Sequence, residues 1–125
     1  MRRHTQDVPA LLNYTHGPSF AVVEITALAF VENAIPALVE MAHRTRERGD
    51  RRLLINLMDV VGTFGIEQQR EIGLLAHQYL SHLERVASLV PPDKITHASE
   101  LAAQSKGLQL RVFTELGAAI EWLVA

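Results

Sequence analysis

A chain of 125 residues, 48% apolar and 21% charged, has the composition of one globular domain large enough to bury a single core. Its formal net charge of −2 argues against a general nucleic-acid binder, which needs a basic surface to displace counterions. The lack of cysteine removes disulfides, thiolate metal sites, iron–sulfur clusters and a cysteine nucleophile together. Residues 1–9 read as a polar N-terminal tail and residues 10–125 as the domain. Neither a signal peptide nor a membrane-length apolar run is visible, so a cytoplasmic protein without membrane insertion is expected.

Taken in chain order, Leu11–His16 reads as a modest strand and Gly17-Pro18 as a turn. Phe20–Ile25 is a stronger strand, rich in β-branched residues, and the short link makes the two an antiparallel hairpin. A helix follows from about Phe30 to Arg48, with Val31, Ile35, Leu38 and Ala42 as its inward stripe and Gly49 as its C′ residue. Pro36 lies near enough to the helix start for its missing N–H to cost little. Leu53–Met58 is almost continuously apolar, the pattern of a central strand covered on both faces. Asp59 closes it, and Val60–Gly65 forms a glycine-flanked connection to a helix over Ile66–His82. Ile72, Ala76, Tyr79 and Leu83 stripe that helix, with Leu74 and Leu80 widening its apolar face.

Val86–Val90 is the fourth strand, halted by Pro91-Pro92. A third helix burying Ala98, Leu101 and Ala102 should be capped by Asp93 or Thr96 and ended by Gly107. Leu108–Phe113 is the fifth strand, and Thr114 is expected to cap a last helix whose Ala119, Trp122 and Leu123 share one face. The expected fold is therefore α/β, a five-stranded mixed sheet with four helices. Trp122 is expected to be largely buried, with a loss of roughly 3–5 kcal/mol on truncation to alanine.

Particular residues narrow this pattern. Glu84-Arg85-Val86-Ala87 opening the fourth strand, Arg111-Val112-Phe113 ending the fifth, and Ala119-Ile120-Glu121-Trp122-Leu123 in the last helix resemble the SpoIIAA-like family. That family is related to STAS domains, the fold of bacterial anti-sigma-factor antagonists and sulfate-transporter regulatory tails. The resemblance covers about Ala10 to Leu123 and implies a small non-catalytic module working through protein contacts or a bound ligand. Phospho-switch antagonists resemble one another in an Asp-Ser-Ser-Gly-like turn after the central strand. The matching stretch here, Asp59-Val60-Val61-Gly62-Thr63-Phe64-Gly65, has no serine, and Thr63 is its only hydroxyl. Glu67 and Glu71 would repel a phosphate on Thr63, so no kinase switch is expected there.

The same stretch is the best site candidate, with Asp59, Gly62, Thr63, Phe64 and Gly65 forming a ligand or partner loop. It sits at the carboxyl end of the central strand, where open α/β sheets bind ligands, although its glycines need only make a tight turn. His4, His16, His43, His77, His82 and His97 are scattered. His77 and His82 lie about 140° apart around a helix, so no metal site is expected. Arg44, Arg46, Arg48, Arg51 and Arg52 form a basic run that dipole compensation at a helix end explains. No nucleophile elbow, dinucleotide motif or phosphate loop is present, and no catalytic residue or cofactor is assigned.

The leading reading is a non-enzymatic bacterial regulatory or protein-interaction module, with an unidentified protein partner or small ligand and a homodimer as one form it could take. The first rival is a small-ligand or lipid-binding domain. The second is an enzyme whose site is completed only in an oligomer.

Overall fold

A computed structural model describes residues 10–125, and the tail read over residues 1–9 lies outside them. The strands are β1 (Leu11–His16), β2 (Ala21–Leu28), β3 (Arg52–Val61), β4 (Arg85–Leu89) and β5 (Leu110–Phe113). The helices are α1 (Val31–Arg48), α2 (Ile66–Leu80), α3 (Ala98–Ser105) and α4 (Leu116–Val124), with a 3-10 turn at Pro92–Lys94 before α3. The sheet runs in sequence order, β1-β2-β3-β4-β5. β1 is antiparallel to β2, and every later pair is parallel. The mixed five-stranded α/β fold and the central place of Leu53–Met58 are as the sequence predicts.

The sheet carries unequal cover. One core, on the face of α1 and α2, joins Val23, Ile25, Leu53, Ile55 and Val86 to Leu38, Met41, Ala76 and Leu80. The smaller core on the opposite face joins Leu54, Ala87 and Leu89 to Ala119 and Leu123 of α4. β3 is thus covered on both faces only along its first half, and Met58 is exposed.

Several local expectations are corrected. β3 does not close at Asp59: its pairing continues to Val61, opposite Thr26, Ala27 and Leu28 of a longer β2. Between Glu24 and Thr26 the register shifts, because β3 carries one more residue than β2 across that step. Ile35 is exposed on α1, whose buried positions are Ala37, Leu38, Met41, Ala42 and Thr45. Leu101 is likewise exposed, while α3 buries Ala102 as expected, with Ala103 beside it. Thr114 is used up in the bend leaving β5, so Glu115 takes the N-cap position of α4 without a side-chain cap. His97 takes that position in α3, with Thr96 Oγ1 one residue earlier accepting from the Ala98 N–H at 3.4 Å. Gly49 does adopt the left-handed conformation, φ 72°, and Asp50 N–H donates to Thr45 O at 2.9 Å to close the end of α1.

Candidate functional site

The bulge in β3 decides what the end of the sheet presents. Inward and outward side chains alternate along a strand, and one extra residue reverses that alternation. Leu57 and Val60 consequently both border a cavity on the α1–α2 side, while Asp59 is exposed and does not line it. The cavity has a volume of about 180 Å³. Ile25, Ile55, Val112 and Ser88 form its sheet side, Phe30, Asn33, Ala34 and Ala37 its α1 side, and Ile72, Gly73 and Ala76 its α2 side. The first turns of α1 beside it carry only half-buried or exposed residues, and the buried positions of that helix begin at Ala37.

Over one end of the cavity runs the connection Gly62–Gly65. Gly62 has φ 95°, a conformation that favours glycine, and a side chain there would meet Ala29. Of the five residues expected to form a ligand or partner loop, Gly62, Thr63 and Phe64 line the cavity, whereas Asp59 and Gly65 do not. The connection is held by amide side chains that the sequence reading did not single out. Gln68 Oε1 accepts from the Gly65 N–H at 2.9 Å, and Gln69 Nε2 donates to Phe64 O at 2.9 Å. Thr96 Oγ1 donates in turn to Gln69 Oε1, which ties the connection to the segment before α3. Lys94 Nζ donates to Val60 O at 3.0 Å across the unpaired edge where β3 outruns β4.

Gly73 was also missed, although a glycine inside a helix normally costs about 1 kcal/mol against alanine and so signals a packing reason. Here an added Cβ would overlap the backbone of Ser99, so Gly73 is what lets α2 and α3 cross closely beside the cavity. Ser88, in the middle of β4 and 8% exposed, presents its hydroxyl to the cavity and makes no side-chain hydrogen bond among the described residues. No histidine, aspartate or glutamate lines the cavity among those residues.

The other candidates resolve into structural roles. The basic run disperses: Arg44 lies 3.7 Å from Glu40 and 5.0 Å from the Tyr14 ring, and Arg51 pairs with Glu84 at 2.5 Å. That pairing holds the Glu84 carboxyl below the usual carboxylate range. Arg52 reaches Leu123 O at 2.9 Å and Arg85 reaches Trp122 O at 2.5 Å, so two arginines from strand starts satisfy the last carbonyls of α4. Trp122 is half-buried rather than enclosed. It packs on Phe113 with ring centroids 5.7 Å apart, and the guanidiniums of Arg85 and Arg111 lie 5.3 and 5.6 Å from its ring. His16 Nδ1 donates to Asp50 at 2.9 Å and His97 Nδ1 to Glu100 at 2.8 Å.

Among the described residues no helix is long and apolar enough to cross a membrane. A search of curated proteins finds no match. An anti-sigma factor antagonist from Mycobacterium paratuberculosis has a similar structure, with TM-score 0.63, 13% identity, and cover of 91% of this chain and 93% of that one. An uncharacterised protein with a SpoIIAA-like fold from Shewanella loihica aligns with TM-score 0.51, also at 13% identity, over 92% of this chain and 93% of its own. Likeness at such identity concerns the fold. The SpoIIAA-like profile matches residues 21–124, from the first residue of β2 to the last of α4, and the chain belongs to the SpoIIAA-like family.

Proposed function

We propose that this SpoIIAA-like domain is a non-enzymatic regulatory module that takes a small apolar molecule into its cavity and presents the adjoining Gly62–Gly65 connection to a protein partner. The cavity carries the reading. Its volume of about 180 Å³ exceeds the roughly 150 Å³ of an engineered apolar cavity that stays dry and binds benzene. Its lining is mainly apolar, and it abuts the Gly62–Gly65 connection, which lies in the stretch that resembles the switch turn of phospho-switch antagonists. Coupling follows from position: Thr63 and Phe64 border both the cavity and the surface, so filling the one biases the other. Exposed Val61 and Ile66 flank the connection, and exposed Phe30 lines the cavity, which supplies apolar contact area for a partner. The antagonist with the same fold supports a protein as that partner.

Catalysis is disfavoured because, among the described residues, Thr63, Ser88, Thr96 and Ser99 line the cavity with no histidine or carboxylate in that lining to act as base. A phosphate switch at Thr63 is disfavoured too. Arg70, the nearest cation in sequence, is already paired with Glu67 at 2.5 Å. Phosphosite mapping of protein from its native host is expected to find Thr63 unmodified.

Native mass spectrometry tests the cavity directly. Protein isolated gently from its host is expected to retain a small molecule, and Ala34→Phe, which projects a ring into the cavity from α1, is expected to lose it while staying folded. A clean wild-type spectrum, together with no uptake of added hexan-1-ol, would remove the ligand from this proposal and leave a plain interaction module.

A further inference from the structure

The charges around the cavity are one-sided. Among the described residues that line it, Lys94 is the sole charged side chain. The contrast with other cations of the protein is informative. Arg44, Arg51, Arg52 and Arg70 each lie within 4 Å of a glutamate, whereas Lys94 is held among the described residues by a backbone carbonyl alone. A carbonyl oxygen accepts one of the three ammonium donors and leaves the charge uncompensated. Lys94 is nevertheless half-buried against an apolar space, a placement that favours an anionic partner.

The position of the amine is also fixed in advance. Pro91 and Pro92 restrict the backbone, and the Lys94 N–H donates to Pro91 O at 3.0 Å, closing the 3-10 turn that aims the side chain back across β3. The bond from Nζ to Val60 O then places the ammonium beside a residue that itself borders the cavity. Thr63 lines the same space and carries a hydroxyl able to donate to an anion. Ser88, on the sheet side, bears a neutral hydroxyl that selects for no charge, so discrimination falls to Lys94.

We propose that the molecule taken up is a small monocarboxylate with an apolar body, its carboxylate bound by the Lys94 ammonium and its body lodged between α1, α2 and the sheet. This inference rests on the ligand cavity proposed above. A single unpaired cation accounts for one carboxylate and not two. The volume sets the body at a short chain or one ring, on the order of six to eight carbons, by comparison with the cavity that holds benzene.

Isothermal titration of the full chain with hexanoate, hexan-1-ol and hexylamine at neutral pH and low salt separates the possibilities. The wild type is expected to bind hexanoate at least tenfold more tightly than hexan-1-ol, and hexylamine more weakly than either. Lys94→Met should abolish the preference for hexanoate without changing the affinity for hexan-1-ol, and Lys94→Arg should retain it. The alcohol serves in each variant as the check that the fold and the cavity persist. Equal binding of hexanoate and hexan-1-ol by the wild type, or a preference that survives in Lys94→Met, would overturn the carboxylate assignment while leaving the cavity reading intact. Failure of all three probes to bind would sink the cavity reading and this inference with it.

Discussion

Thr45 is fully buried inside α1, and its hydroxyl shows how one side chain sets the chemistry of another. It donates to Met41 O at 2.7 Å, so its contact with His82 Nε2 at 2.8 Å must have the imidazole as donor. His82 is thereby held in the Nε2–H tautomer, with a buried Nδ1 that has no partner among the described residues. Protonation would place an N–H where nothing accepts it, and desolvation, with the Arg46 charge as a lesser cause, lowers the His82 pKa from its ordinary 6.5. The unfolded chain therefore binds this proton before the folded protein does. The stabilisation is complete above about pH 6.5 and is lost as pH falls through the lowered folded value. His82→Phe is expected to flatten the dependence of the urea midpoint on pH below about 6.5 relative to wild type; parallel curves would show that His82 takes up its proton equally in the folded and unfolded states. Trp122 is a second case in which surroundings override residue type. Half-buried under two guanidiniums, it should lose about 1–3 kcal/mol on mutation to alanine, below the 3–5 kcal/mol of an enclosed aromatic, as read by denaturant melting.

Among the elements, the crossing of α2 and α3 has the least tolerance. Gly73→Ala would drive a methyl group into the Ser99 backbone, which cannot rotate away as a side chain could. The expected loss is about 1–3 kcal/mol despite the better helix propensity of alanine, and a gain in melting temperature would refute the close crossing. Helix and strand identities were legible because period and composition speak for each segment locally. Leu53–Met58 shows its central place through unbroken apolarity, and Gly49 and Gly107 mark helix ends by chemistry that a neighbour cannot change. The candidate site was legible only in outline. Its location after β3 follows from the topology of α/β sheets, but the exposed position of Asp59 depends on a bulge set by pairing with β2, and no property of Asp59 itself encodes that. Lys94 and Gly73 matter through contacts with Val60 and Ser99, each distant in sequence. Ile35 and Leu101 failed as core residues for the same reason: periodicity predicts which residues share a face, and packing decides which face turns inward.

At the scale of the molecule, the three parallel crossovers advance in one direction across the sheet, and two cores divide the work unequally. The cavity belongs to the crowded side, where α1 and α2 meet the sheet. Among the described residues the opposite side depends on α4 alone, docked through Ala119 and Leu123 and clamped at its last carbonyls by Arg52 and Arg85. Deleting residues 116–125 is expected to bare Leu54, Ala87 and Leu89 and yield a protein that binds the dye ANS with reduced near-ultraviolet dichroism. A truncated chain with an unchanged cooperative melt would show α4 to be dispensable. The sequential strand order has a further meaning during synthesis. A chain emerging from the ribosome meets, at every strand from β2 onward, a pairing edge already made, so no edge has to be guarded for a distant partner. The Leu54–Ala87–Leu89 surface has no such help. It stays bare until the last helix has left the exit tunnel, which makes that late interval, rather than any stage of sheet assembly, the time when the nascent domain is most open to a chaperone or to aggregation.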